Sequence, residues 1–162
     1  MAWLFPWFLL LHVLGAVIAF GPTFSFSIIG AMGGKEPQHV NFATRVTHTI
    51  SDRLTIPLAL TMPVTGALMI LVAGIDLASA RYRWLGAAIV LYVVVLAYSV
   101  LVQRRAVERV IELTSAPPPA GATGPSPDLL AGIKRVQRGG MALGLGIVLI
   151  VFLMVVKPGM SG

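Results

Sequence analysis

Four stretches of this chain are apolar for long enough to cross a lipid bilayer, and that leaves few folds open. A hydrocarbon core of about 30 Å takes roughly 20 residues of helix to span. The runs 3–29, 54–75, 84–102 and 139–156 are of that order. Inside lipid each backbone amide must find its partner within the protein, so every run is predicted to be a helix. The expected architecture is an all-α transmembrane four-helix bundle, a single integral membrane domain over 1–162. Composition points the same way. The chain is 57% hydrophobic and 11% charged, with a mean hydropathy of +0.89, whereas a soluble domain is about 45–50% apolar. The first run reads as a retained helix, because residues 1–7 carry no Lys or Arg and the run is too long for a signal peptide.

Basic residues near helix ends are held on the cytoplasmic side. With four spans, segments 31–53 and 103–138 share one face and hold Lys35, Arg45, Arg53, Arg104, Arg105, Arg109, Lys134, Arg135 and Arg138. The other face has Arg81, Arg83 and Lys157. The expected setting is the bacterial cytoplasmic (inner) membrane with both termini outside. The net charge of +6 then reflects topology and attraction to the lipid bilayer's anionic headgroups, and no nucleic-acid partner is expected. Absence of cysteine removes disulfides, thiolate metal sites and dithiol redox chemistry.

Two polar segments keep helical spacing. In "VNFATRVTHTISDR" (40–53), Arg45, His48 and Asp52 fall on one side, so the second helix is predicted to begin in the interface, with His48 paired to Asp52. "QRRAVERVIEL" (103–113) extends the third helix, with Arg104 and Glu108 four apart. Residues 114–126, rich in Pro, Gly, Ala and Ser, read as a flexible linker. The fourth helix restarts with Ser126 as cap, Pro127 in the first turn and Asp128 on the helix dipole.

Within the spans, the informative residue is His12 in "LLHVLGAVIAFGP" (10–22). It shares a helix face with Gly15, Ala16 and Ala19, small residues of the kind that let another backbone approach. Gly140 and Gly144 form a second small-xxx-small pattern, with Ala142 and Gly146 alongside, and Gly15, Ala19, Gly140 and Gly144 are the expected helix-packing residues. Counting 1.5 Å per residue from the span centres puts His12, Met69 and Tyr92 at similar depths. Three readings of His12 follow. It is a neutral imidazole bonded to Thr65 or Tyr92, an axial ligand to haem b in a pocket with Met69 and Tyr92, or part of a proton or solute path. A bis-histidine haem does not fit, since His48 lies about 20–28 Å away along the membrane normal.

Other chemistries lack their groups. No acid lies within a span, as proton-coupled cation export would need. There is no HExxH, no phosphate-binding Gly-Lys loop and no convergent Ser-His-Asp set. Met62 and Met69 are seven apart but have no clustered Met/His motif for copper, so no metal site is expected. Ser25 and Ser27 are expected to bond their own helix.

The order "LLHVLGAVIAFGPTF", "ISDRLTIPLALTMPVTGALMI", "WLGAAIVLYVVVLAYSVLVQRR" and "FLMVVKP" resembles the bacterial predicted integral membrane proteins of domain of unknown function 2269. That resemblance implies a four-helix membrane protein and carries no activity. The Leu-His of helix one is also similar to that of copper resistance protein D membrane domains and haem-containing membrane protoporphyrinogen oxidases. In those families the resemblance implies a metal or haem site at a first-helix histidine, and only His12 maps onto it. Two functional classes stand at this point. One is a non-enzymatic membrane module or accessory subunit, acting as a homo-oligomer or beside a membrane-complex partner; the other is a b-type haem redox protein centred on His12.

Overall fold

The computed structural model describes residues 2–116 and 124–159. Four helices are long and apolar enough to cross a membrane: α1 (Phe5–Lys35), α2 (Val40–Ala73), α3 (Ala80–Ser115) and α4 (Pro127–Val156). The described residues contain no strand.

Each helix outruns its apolar stretch for a physical reason. The 34 residues of α2 and 36 of α3 make rods of about 50 Å, well over the hydrocarbon thickness. The surplus is the amphipathic part of each, 40–50 in α2 and 104–115 in α3, which keeps one face on the neighbouring helix and the other in the polar interface. Local chemistry sets the ends. At the start of α4 the Ser126 Oγ accepts the Leu129 N–H at 3.2 Å, with Pro127 in the first turn. At the end of α2, Gly74 turns left-handed with φ of 64°, and the Ile75 N–H reaches back to the Ile70 carbonyl at 3.0 Å. Pro22 and Pro63 lie inside helices that continue through them. Of the expected linker, residues 117–123 lie outside the described residues.

Two π-helical turns interrupt the regular winding, Ser51–Thr55 in α2 and Ser99–Gln103 in α3. Each sits where the amphipathic half meets the apolar half. An extra residue in one turn rotates everything beyond it, so the polar half and the lipid-facing half of one helix can each present a suitable face.

The helices run antiparallel to their chain neighbours. Nine of the twelve Lys and Arg therefore gather at one end, here called the cation-rich end, while Arg81, Arg83 and Lys157 lie at the other. α1 packs along α2, and α3 along α4; α1 also meets α4. α2 and α3 pack through their amphipathic halves at the cation-rich end. The interior is rich in alanine: Ala19 and Ala88 are fully buried and Ala59 and Ala106 nearly so, with Met62, Leu85, Val110 and Ile147 between them. Large apolar residues such as Val17, Leu60, Val90 and Leu145 point outward. That distribution suits lipid, where apolar burial between helices gains nothing over contact with acyl chains, and close backbone approach is what holds helices together. At the opposite end Trp84 is buried with the Lys157 ammonium 5.8 Å from its ring centre, a cation–π contact joining the start of α3 to the end of α4.

Candidate functional site

The polar groups within the spans form a short seam between α1, α2 and α3. The His12 Nδ1 lies 2.7 Å from the Thr65 Oγ1. That hydroxyl is also 3.1 Å from the Met62 carbonyl of its own helix. A hydroxyl has one proton; if it goes to the carbonyl, the imidazole donates from Nδ1 and keeps a lone pair on Nε2. The ring lies against α2 at Gly66, where a Cβ would stand 3.6 Å from the His12 Cε1. One turn further along α1, Gly15 is buried against the Met62 side chain, whose terminal methyl occupies the place a Cβ would take. His12 thus faces protein because Gly15 and Gly66 let α1 and α2 approach on that side.

Tyr92 belongs to the same seam without meeting His12. Its hydroxyl donates to the Ala59 carbonyl of α2 at 2.5 Å, and its ring meets Phe20 of α1 edge-on, with centres 6.4 Å apart. A carbonyl inside a helix has a second lone pair, so the bond satisfies the phenol without breaking α2. Met69 is half-buried on α2, one turn beyond Thr65, and Met62 rather than Met69 fills the space beside Gly15. Among the described residues no group of three His, Asp, Glu or Cys converges as a metal site.

The packing glycines of α4 divide by face. Gly139 and Gly146 are buried. A Cβ on Gly146 would stand 2.6 Å from the Val95 Cγ2, and one on Gly139 would run into the Gln103 side chain. Gly140 and Gly144 look away from the bundle, with nothing within 4 Å of an added Cβ. The sequence pattern set Gly146 beside Gly140 and Gly144 and missed Gly139, whose signal was its place on the Gly146 face, two turns away at offset seven.

A second polar region lies at the cation-rich end. The Asp52 Oδ2 accepts from the Arg104 guanidinium at 3.1 Å and lies 3.5 Å from the His48 Nε2. Arg104 also meets Glu108 at 3.1 Å, so one arginine links α2 to α3. The Asn41 amide donates to the Ile111 carbonyl at 3.2 Å and to the Thr114 hydroxyl at 2.9 Å. The Gln103 amide donates to the Val136 carbonyl of α4 at 3.0 Å. These bonds tie α2, α3 and α4 together along the cation-rich end. Within the π-turns, the Asp52 Oδ1 and Thr55 Oγ1 are buried without partners.

The fold and its polar seam define a polytopic helical membrane protein, held by small-residue contacts in lipid and by a hydrogen-bonded collar at one end. Residues 7–158 match the family described as predicted integral membrane protein, DUF2269, and the chain belongs to that family. No curated protein and no solved structure matches it.

Proposed function

We propose that this protein is a non-enzymatic membrane module of the bacterial inner membrane, which acts by lateral association with a second copy or with a membrane-complex partner. The observation that carries this reading is the open face of α4. Gly140 and Gly144 stand in a small-xxx-small row with free space above both, among exposed Met141, Leu145 and Val148. Such a row lets a second transmembrane helix come close enough for backbone contact. The cysteine-free chain gives a clean test for the second copy. Met141→Cys should form a disulfide dimer in oxidised membranes, while Val90→Cys on α3 should not. Gly144→Leu added to the first variant should abolish the dimer. Equal cross-linking at both positions, or a dimer indifferent to Gly144→Leu, would remove self-association through this face and leave the partner form.

A second reading rests on the bond at His12. With Nδ1 held by Thr65, Nε2 is the ring atom left for a ligand, the arrangement by which a protein orients an axial imidazole. If b-type haem is bound, protein purified from haem-supplemented cells shows a reduced-minus-oxidised α-band that His12→Ala removes. A flat spectrum at good haem supply ends this reading.

A further inference from the structure

We propose that the cleft between the cation-rich ends of α3 and α4 is a binding site for the phosphate headgroup of an anionic membrane lipid. The cleft has a volume of about 380 Å³ and is lined by Tyr98, Ala131, Lys134, Arg135, Arg138 and Gly139. Three cations and no carboxylate line it. None of the three has an ion-pair partner among the described residues, although Arg104 and Arg109 of α3 both have one. The nearest acid along α4 is Asp128, about two turns before Arg135. Three unpaired like charges around one cleft repel each other, and an anion placed among them turns that repulsion into attraction.

Hydrogen bonding adds direction to the charge. No described residue takes up the Tyr98 hydroxyl, so this donor is free. Gly139 brings it to the cleft wall, since a Cβ there would stand 2.9 Å from the phenol oxygen. A phosphodiester offers acceptors to the guanidinium forks of Arg135 and Arg138, to the Lys134 ammonium and to that phenol.

Depth identifies the source of the phosphate. Tyr98 belongs to the apolar part of α3, and Gly139 opens the apolar run of α4. The cleft therefore lies at the boundary between the lipid phase and water, the level at which headgroups sit and Tyr and Arg collect. Beyond Gly139, α4 leaves other apolar side chains exposed to acyl chains, Leu149 and Phe152 among them.

The test uses the full chain in a nonionic detergent, titrated with dioleoyl phosphatidylglycerol, dioleoyl phosphatidylcholine and inorganic phosphate, with bound lipid read by native mass spectrometry. The phosphatidylglycerol adduct should exceed the phosphatidylcholine adduct. Lys134→Gln with Arg138→Gln should weaken it about twenty-five-fold, about fivefold per cation. Tyr98→Phe, which removes one oxygen and keeps the ring, should weaken it by about threefold or more. Lys35→Gln with Arg53→Gln removes the same charge from the same end outside the cleft, and should leave binding within about twofold. Equal loss in the two double variants would overturn the site in favour of general surface attraction. Absence of preference over phosphatidylcholine would overturn it as an anion site. Competition by inorganic phosphate at concentrations matching the lipid would overturn the lipid as its occupant.

Discussion

At the scale of single residues, the His12–Thr65 bond fixes what a substitution should do. Thr65→Val removes the imidazole's partner and keeps the shape, so it should lower stability by about 0.6–2 kcal/mol, the range for such bonds in membranes. His12→Leu combined with Thr65→Val should cost less than the two single changes added together, because neither variant group is then left unpaired. Unfolding in mixed micelles, followed by tryptophan fluorescence, measures this cycle, and additive losses would show that the bond contributes nothing. The sequence made part of this site legible. The small residues at offsets three and seven from His12 identify its protein-facing side, while span-centred depth brings it level with Met69, one turn beyond the Thr65 it meets. The destination of Tyr92 was not legible, since its hydroxyl reaches Ala59, about 9 Å along α2 from Thr65. Rise per residue gives the depth of a Cα, not the reach of a phenol.

Among elements, the contrasts lie between glycines that resemble each other in sequence. Gly146 faces Val95, a β-branched side chain with little freedom at χ1. Gly15 faces the end of Met62, which has three rotatable bonds and can move aside. Gly146→Ala should therefore cost about 1–3 kcal/mol by overpacking, and Gly15→Ala clearly less; thermal unfolding in one detergent ranks them. A reversed ranking would mean that α1 and α2 have less slack than the methionine suggests. Hydropathy located all four helices, yet it could not give their ends, because the amphipathic continuations of α2 and α3 are too polar to score as membrane. Nor does composition reveal the π-turns. "SDRLT" and "SVLVQ" carry no breaker, and an inserted residue is set by the two faces on either side of it.

For the whole molecule, the gathering of cations at one end is both a charge pattern and a prediction of orientation. If that end is cytoplasmic, a periplasm-active reporter fused after the last residue is active, and a cytoplasm-active reporter inserted after Ser115 is active as well. The reverse pair of results would invert the topology. Architecture was the most legible level, because the thickness of lipid and the need to satisfy every amide leave only a helical solution for runs this long. Helix pairing was less so, since in lipid it rests on which small residues meet. One outcome of that pairing has a mechanical side. α2 and α3 are fastened at the cation-rich end by Arg104, Asp52 and Asn41, while within the apolar layer the Tyr92–Ala59 hydrogen bond is the one polar tie between them among the described residues. The two helices behave as the arms of a pair of tongs, clamped at the handle and lightly latched partway along. A change in bilayer thickness or lateral pressure would do its work at the latch, and the arms would part there first while the clamped end kept its shape.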